Sequence, residues 1–178
     1  MTRRTFLDIL ASIMQAIVAG LCLVPVLRFV LHPLRANKRG GGFVRLVPLS
    51  SVAVGKPQRA VVKADKWDAF IHYPPGPVGS VWVLRTDDEQ GEPRIRCLQT
   101  TCPHLGCAVD RAADGNGFRC PCHDAVFDGD GKKLGGPAPR DMDELEMRLT
   151  EAGADGERWI EVNYQTFTTG VEGKIPNA

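Results

Sequence analysis

The stretch C-P-H-L-G-C, Cys102 to Cys107, followed at Cys120 to His123 by C-P-C-H, decides how this chain is read. Four of the six cysteines and two of the four histidines fall in this one window. Each half offers one cysteine and one histidine as candidate metal ligands, Cys102 with His104 and Cys120 with His123. Each half also holds a second cysteine, Cys107 and Cys122. A structural zinc site usually pairs C-x₂₋₄-C with H-x₃₋₅-H, and spacings of C-x-H and C-x₂-H do not fit that pattern. Two disulfides with idle histidines would leave the repeated Cys/His pairing unexplained.

The third reading is a 2Fe–2S cluster in which two imidazoles replace two thiolates on one iron. It needs two cysteines and two histidines delivered by two loops that meet at a tip, and it accounts for the repetition. The two motifs resemble the cluster-binding loops of Rieske proteins, over roughly residues 45–178. The resemblance implies that Cys102, His104, Cys120 and His123 hold one 2Fe–2S cluster. It also implies that Cys107 and Cys122 form a disulfide, as in the respiratory branch. Downstream, G-P-A-P (Gly136, Pro137, Ala138, Pro139) resembles the proline loop that covers the cluster in this family. Prolines stiffen such a cover and remove backbone donors.

The layout around the motifs agrees. Net charge is +1, so nothing suggests a nucleic-acid surface. Nineteen glycines and thirteen prolines favour short strands and turns over helices. Residues 1–8 include Arg3, Arg4, Phe6 and Leu7, which resemble a twin-arginine export signal; the same arginines also suit a helix end at a membrane surface. Residues 9–27 carry no charge and are long enough to span most of a bilayer core. No small-residue cleavage site follows, so residues 9–32 are expected to stay as a transmembrane anchor. Arg28, Arg35, Lys38 and Arg39 outnumber Arg3 and Arg4, and the charge rule alone would place the following domain inside. A disulfide needs an oxidising compartment and long domains cross largely regardless of charge, so the expectation is a single-pass protein of a bacterial cytoplasmic membrane with its head on the periplasmic side. Residues 33–42 end in three consecutive glycines and read as a hinge.

From residue 43 onward the pattern is short strands. Residues 43–47, 59–62, 81–85, 93–98, 145–149 and 159–162 are rich in β-branched or alternating apolar positions. Cys97 fits a core-facing position and His72 a strand side chain. Residues 163–178 give no signal. The expected fold is an all-β antiparallel Rieske-type sandwich (residues 43–178) with an inserted cluster-binding subdomain (about 99–140), preceded by one transmembrane helix.

The resemblance implies a Rieske subunit of a quinol–cytochrome c reductase, not catalytic alone, working with cytochrome b-type and cytochrome c-type subunits. His123 is then the contact to quinol and to a c-type haem, with His104 its partner ligand. The familiar run C-P-C-H-G-S-x-Y reads here C-P-C-H-D-A-V-F, so Ala125 and Phe127 lack the hydroxyls that would bond the cluster sulfurs. Such bonds favour the reduced state; their loss, with the Asp124 carboxylate beside His123, should lower the potential toward one suited to menaquinol. Leu105, Asp124, Ala125, Phe127, Gly136 and Pro137 are thus the expected surroundings of the cluster. A Rieske oxygenase also needs a mononuclear iron on two histidines and a carboxylate; only His32 and His72 remain, and His32 lies at the membrane edge. A soluble Rieske ferredoxin would lack the anchor and the Cys107/Cys122 pair. The small subunit of an arsenite oxidase is the alternative, against which the long glycine neck argues.

Overall fold

A computed structural model describes residues 2–35, 42–68, 71–154 and 156–177. It contains one long helix, α1 (Arg3–Arg35), and eleven strands: β1 (Phe43–Pro48), β2 (Gln58–Asp68), β3 (Ile71–Asp87), β4 (Pro93–Gln99), β5 (Asp110–Arg111), β6 (Phe118–Arg119), β7 (Val126–Phe127), β8 (Lys133–Gly135), β9 (Glu144–Leu145), β10 (Met147–Leu149) and β11 (Trp159–Asn163). The helix and the β domain are separate units, divided between Arg39 and Gly40.

The helix is longer at both ends than the apolar run alone indicates. The Thr2 hydroxyl accepts a hydrogen bond from the Thr5 amide at 3.4 Å, so one otherwise unpaired donor of the first turn is met and the helix starts ahead of the apolar run. It continues through Pro25 to Arg35, so residues 33–35 are helical and not part of the hinge. The remainder of the expected hinge falls largely on residues 36–41, outside the described residues. Residues 3–31 are long and apolar enough to cross a membrane, with a mean hydropathy of 2.3 over an 18-residue window inside that span. Apolar side chains such as Ile13, Leu21 and Phe29 are exposed around the helix, the surface of an element whose solvent is lipid.

In the β domain, four successive residues of β3, Val81, Trp82, Val83 and Leu84, are all buried. A strand sends alternate side chains to opposite faces, so this run must be covered on both. Around this run the central sheet, in the order β2-β3-β4-β9, is covered on both. Val81 and Val83 join Cys97 of β4 and Leu145 of β9 in one core, closed by Ile160 and Val162 of β11. Trp82 and Leu84 join Leu98 of β4 in a second core with Val109, Phe118, Phe127, Ala138 and Met142. The first core packs the central sheet on the three-stranded sheet β1-β11-β10, and the second carries the small sheet β5-β6-β7-β8. All strand pairings are antiparallel. The expected sandwich with an inserted subdomain is present, and Cys97 is fully buried in the first core, where burial pushes its thiol up to about 12. It is a packing residue.

The β2–β3 ribbon is longer than the sequence indicates; the pattern marks only residues 59–62, 81–85 and the strand position of His72. It extends well past the last residue that pairs with β4, Val81. Pro74, Pro75 and Pro77 lie in that overhang, where a missing amide costs no bond to a third strand. At its base Gly79 packs against the Tyr164 ring, whose hydroxyl would lie 1.8 Å from any added Cβ.

Because the two cores are separate, they can be perturbed separately. Ile160→Ala should cost about 2–5 kcal/mol in urea unfolding while leaving the optical spectrum of the loaded protein unchanged.

Candidate metal centre

The two motif loops are built the same way. In the first, the Cys102 amide donates to the Cys107 carbonyl (2.8 Å) and the Gly106 amide to the Cys102 carbonyl (3.0 Å). In the second, the Cys120 amide donates to the Ala125 carbonyl (2.9 Å) and the Asp124 amide to the Cys120 carbonyl (3.1 Å). The fourth residue after each leading cysteine adopts a positive φ, +83° at Gly106 and +56° at Asp124. Glycine takes that conformation freely, and aspartate is one of the few other residues that does so at modest cost. Asp124 is held there by Arg119 of β6, which donates to one carboxylate oxygen at 3.1 Å through Nε.

Each loop is anchored by the core beneath it. The first closes where Thr101 bridges Ala108, with the Val109 amide on the Thr100 carbonyl at 2.7 Å. The Trp82 indole N–H donates to the Val109 carbonyl at 3.0 Å and so ties that loop to the central sheet. The second loop joins β6 to β7, whose Phe118 and Phe127 are fully buried. Gly136 presses against its backbone: a Cβ there would lie 2.5 Å from the Asp124 oxygen and 2.6 Å from the Ala125 Cα. Ala138, two residues on, is fully buried in the same core. The G-P-A-P segment thus backs the second loop directly.

This construction brings the four expected ligands together. Cys102 and Cys120 are each 1% exposed and their thiols lie within hydrogen-bonding reach of each other. The rings of His104 and His123 meet edge to face, 4.9 Å between centroids. His104 is half-buried and His123 exposed, so the thiols face the core and one imidazole faces solvent. Burial pushes the Cys102 thiol up to about 11, and the backbone amides of His104 and Leu105 act in the opposite sense by hydrogen-bonding its sulfur. Two amides aimed at a sulfur form a cradle for a thiolate, which the donor set of a mixed Cys/His cluster requires.

Cys107 and Cys122 are joined as the resemblance implies, with Cα atoms 6.6 Å apart. Their sulfurs and that of Cys120 lie within 4.8 Å of one another. Since two of the three are already bonded together, this is a disulfide packed on a thiol and not a three-thiolate metal cage. Around the rim, Leu105 is 63% exposed and Pro137 is also exposed. Ala125 and Phe127 are both fully buried, and neither side chain carries a hydroxyl. Asp124 is not a lone carboxylate beside His123, because Arg119 sits on it. That pairing offsets part of the negative charge that the sequence alone assigns to this edge.

Residues 165–177, which give no signal in the sequence, also take part in the site. The Gly170 amide donates to the Pro103 carbonyl at 2.8 Å, so this segment packs directly on the first loop. Phe167, only 4% exposed, fixes it to the first core.

Comparisons with known proteins agree with this geometry. Residues 46–148 match the family model described as a Rieske [2Fe-2S] domain. A menaquinol:cytochrome c reductase iron-sulfur subunit of Geobacillus thermodenitrificans is 33% identical over 153 residues, covering 83% of this chain and 86% of the relative. The protein of that name from Bacillus subtilis is 31% identical, covering 78% and 80%. A cytochrome b6-f complex iron-sulfur subunit of Synechococcus is 28% identical over 172 residues, covering 93% and 90%.

Two substitutions separate the roles of these loop residues. Gly136→Ala should cost about 1–3 kcal/mol from overpacking, seen in thermal unfolding, and should weaken iron retention. Asp124→Gly should leave stability within about 1 kcal/mol of the parent, whereas Asp124→Val, β-branched at a positive φ, should be clearly destabilising.

Proposed function

This chain belongs to the Rieske [2Fe-2S] family, and we propose that it is the membrane-anchored electron-transfer subunit of a quinol-oxidising complex, drawing on menaquinol and delivering to a c-type cytochrome. The observation that carries the reading is the convergence of two buried thiols and two touching imidazoles, one of them exposed. Cys102, His104, Cys120 and His123 hold the cluster. When bound, the 2Fe–2S cluster supplies one-electron chemistry at a potential within about −150 to +300 mV.

The chain's own residues do the rest. The exposed imidazole of His123 accepts the hydrogen bond of a quinol hydroxyl and takes its proton. His104, half-buried against it, fixes that ring edge to face. Leu105, largely exposed, offers an apolar contact beside it. The Cys107–Cys122 bond ties the two loops together, so they approach a partner as one body.

Menaquinol is the substrate because both hydroxyl positions behind the second loop are filled by apolar side chains, Ala125 and Phe127. The names of the relatives also favour a quinol-oxidising complex over the arsenite-oxidase alternative. The subunit works with cytochrome b-type and cytochrome c-type partners and is not catalytic alone. The head lies on the periplasmic side, where the disulfide persists.

A redox titration of the full chain, with electron paramagnetic resonance of the reduced state, tests this. We expect the signal of mixed His/Cys ligation and a pH-dependent midpoint in the lower part of the range given above, raised by Ala125→Ser. A midpoint near the top of that range would overturn the menaquinol assignment. No such signal in a folded, iron-loaded chain would overturn the function itself.

A further inference from the structure

Arg140 follows the G-P-A-P segment directly, and no motif in the sequence includes it. Its side chain is 10% exposed, and the carboxylate it meets, Asp143, is 4% exposed. Nε and Nη2 of Arg140 donate to the two oxygens of Asp143, each at 2.9 Å. The same guanidinium donates to the Val171 carbonyl through Nη1 and to the Thr168 carbonyl at 3.0 Å through Nη2. One buried cation is therefore satisfied by a fork on Asp143 and by two carbonyls of a segment distant in sequence.

Between those two carbonyls lies Gly170, whose amide donates to the Pro103 carbonyl. Its φ of +76° turns the chain so that the amide points into the first loop, and a Cβ there would come within 3.6 Å of the His104 oxygen. A Cβ at Gly106 would likewise lie 4.0 Å from the Thr169 methyl group. The first loop's flank, at Pro103, His104 and Gly106, thus rests on residues 169–170. Those residues are held by Phe167 on one side and by Arg140 on the other.

We propose that Arg140 and Asp143 form a latch through which residues 168–171 position the first ligand loop, and so His104. Arg140 is a positioning residue. The G-P-A-P segment braces the second loop through Gly136 and, through Arg140 just beyond it, the first loop as well. Arginine suits this task because its planar donor fork meets a carboxylate and two carbonyls at once, which a lysine ammonium cannot reproduce. Removing one partner of the buried pair would leave the other charge uncompensated, so the latch is made as a whole or not at all. The inference concerns the first ligand loop of the Rieske site and rests on that assignment.

The test uses the full chain, iron-loaded and iron-free. Arg140→Gln should keep the far-ultraviolet dichroism and the Cys107–Cys122 bond. It should raise amide exchange at residues 102–106 and 168–171, but not in β3 or β11, in both forms of the protein. In the loaded form it should shift the paramagnetic g-values and speed loss of iron to a chelator about tenfold, the lower end of what outer partners of a metal site cost. Arg140→Lys should fall between. Should Arg140→Gln not fold, Gly170→Ala decides, since it strains the docking turn and leaves the ion pair intact. Exchange confined to the first loop and residues 168–171 supports the latch. Unchanged exchange there, or a rise spread over the whole domain, overturns it. Exchange in the iron-free chain tests the latch independently of the cluster assignment, which the parent chain's spectrum alone decides.

Discussion

The molecule depends on the middle of one sheet, Val81 to Leu84 of β3 and Cys97 to Leu98 of β4, being buried on both faces. Along V-W-V-L in β3 and C-L in β4, successive side chains enter opposite cores. The valines and Cys97 hold the base together; Trp82, Leu84 and Leu98 carry everything that surrounds the metal site. The loops therefore stand on the same backbone that closes the sandwich. Trp82 shows the economy of this. Its ring packs against Phe118 at 5.3 Å while its N–H fixes the end of the first loop at Val109. The buried stretch of β3 thus both closes the cores and anchors the first loop.

The loops themselves show how unlike sequences reach one conformation. Both return the fourth residue's amide to the leading cysteine's carbonyl, and both need a positive φ to do so. One loop solves this with Gly106, the other with Asp124 steadied by Arg119. The result places buried thiols behind and imidazoles in front. This arrangement insulates the sulfurs in a low-dielectric core and leaves proton exchange to the solvent side. Around it, the disulfide, Gly136 with Ala138, and residues 169–170 constrain the two loops from different directions.

The Cys107–Cys122 pairing is legible only through the family resemblance that the two dense motifs carry; the same resemblance names the four side chains that the loops bring together. The strands around residues 81–85, 93–98 and 159–162 are legible from alternation. The β2–β3 overhang is not, because Pro74, Pro75 and Pro77 suppress a strand signal that holds only where no third strand pairs. Residues 165–177 are silent for another reason. Apart from Phe167, their anchoring runs through backbone groups, the Gly170 amide and the Thr168 and Val171 carbonyls, which nearly every sequence possesses. Arg140 looks like an ordinary charge after a proline loop, since nothing local reveals that a carboxylate three residues on and two remote carbonyls enclose it. Asp124 looks like an added charge and no more. Its backbone requirement and its pairing with Arg119 emerge only once the loop is closed.

The contact between Gly170 and Pro103 also orders events in time. A chain is made from its N-terminus onward, so both ligand motifs leave the ribosome well before the segment that flanks the first of them. Until that segment is made, the first loop lacks its outer support, however completely the central sheet has formed. Support for the first loop thereby waits on a segment synthesised after both motifs, whatever the order in which the strands pair.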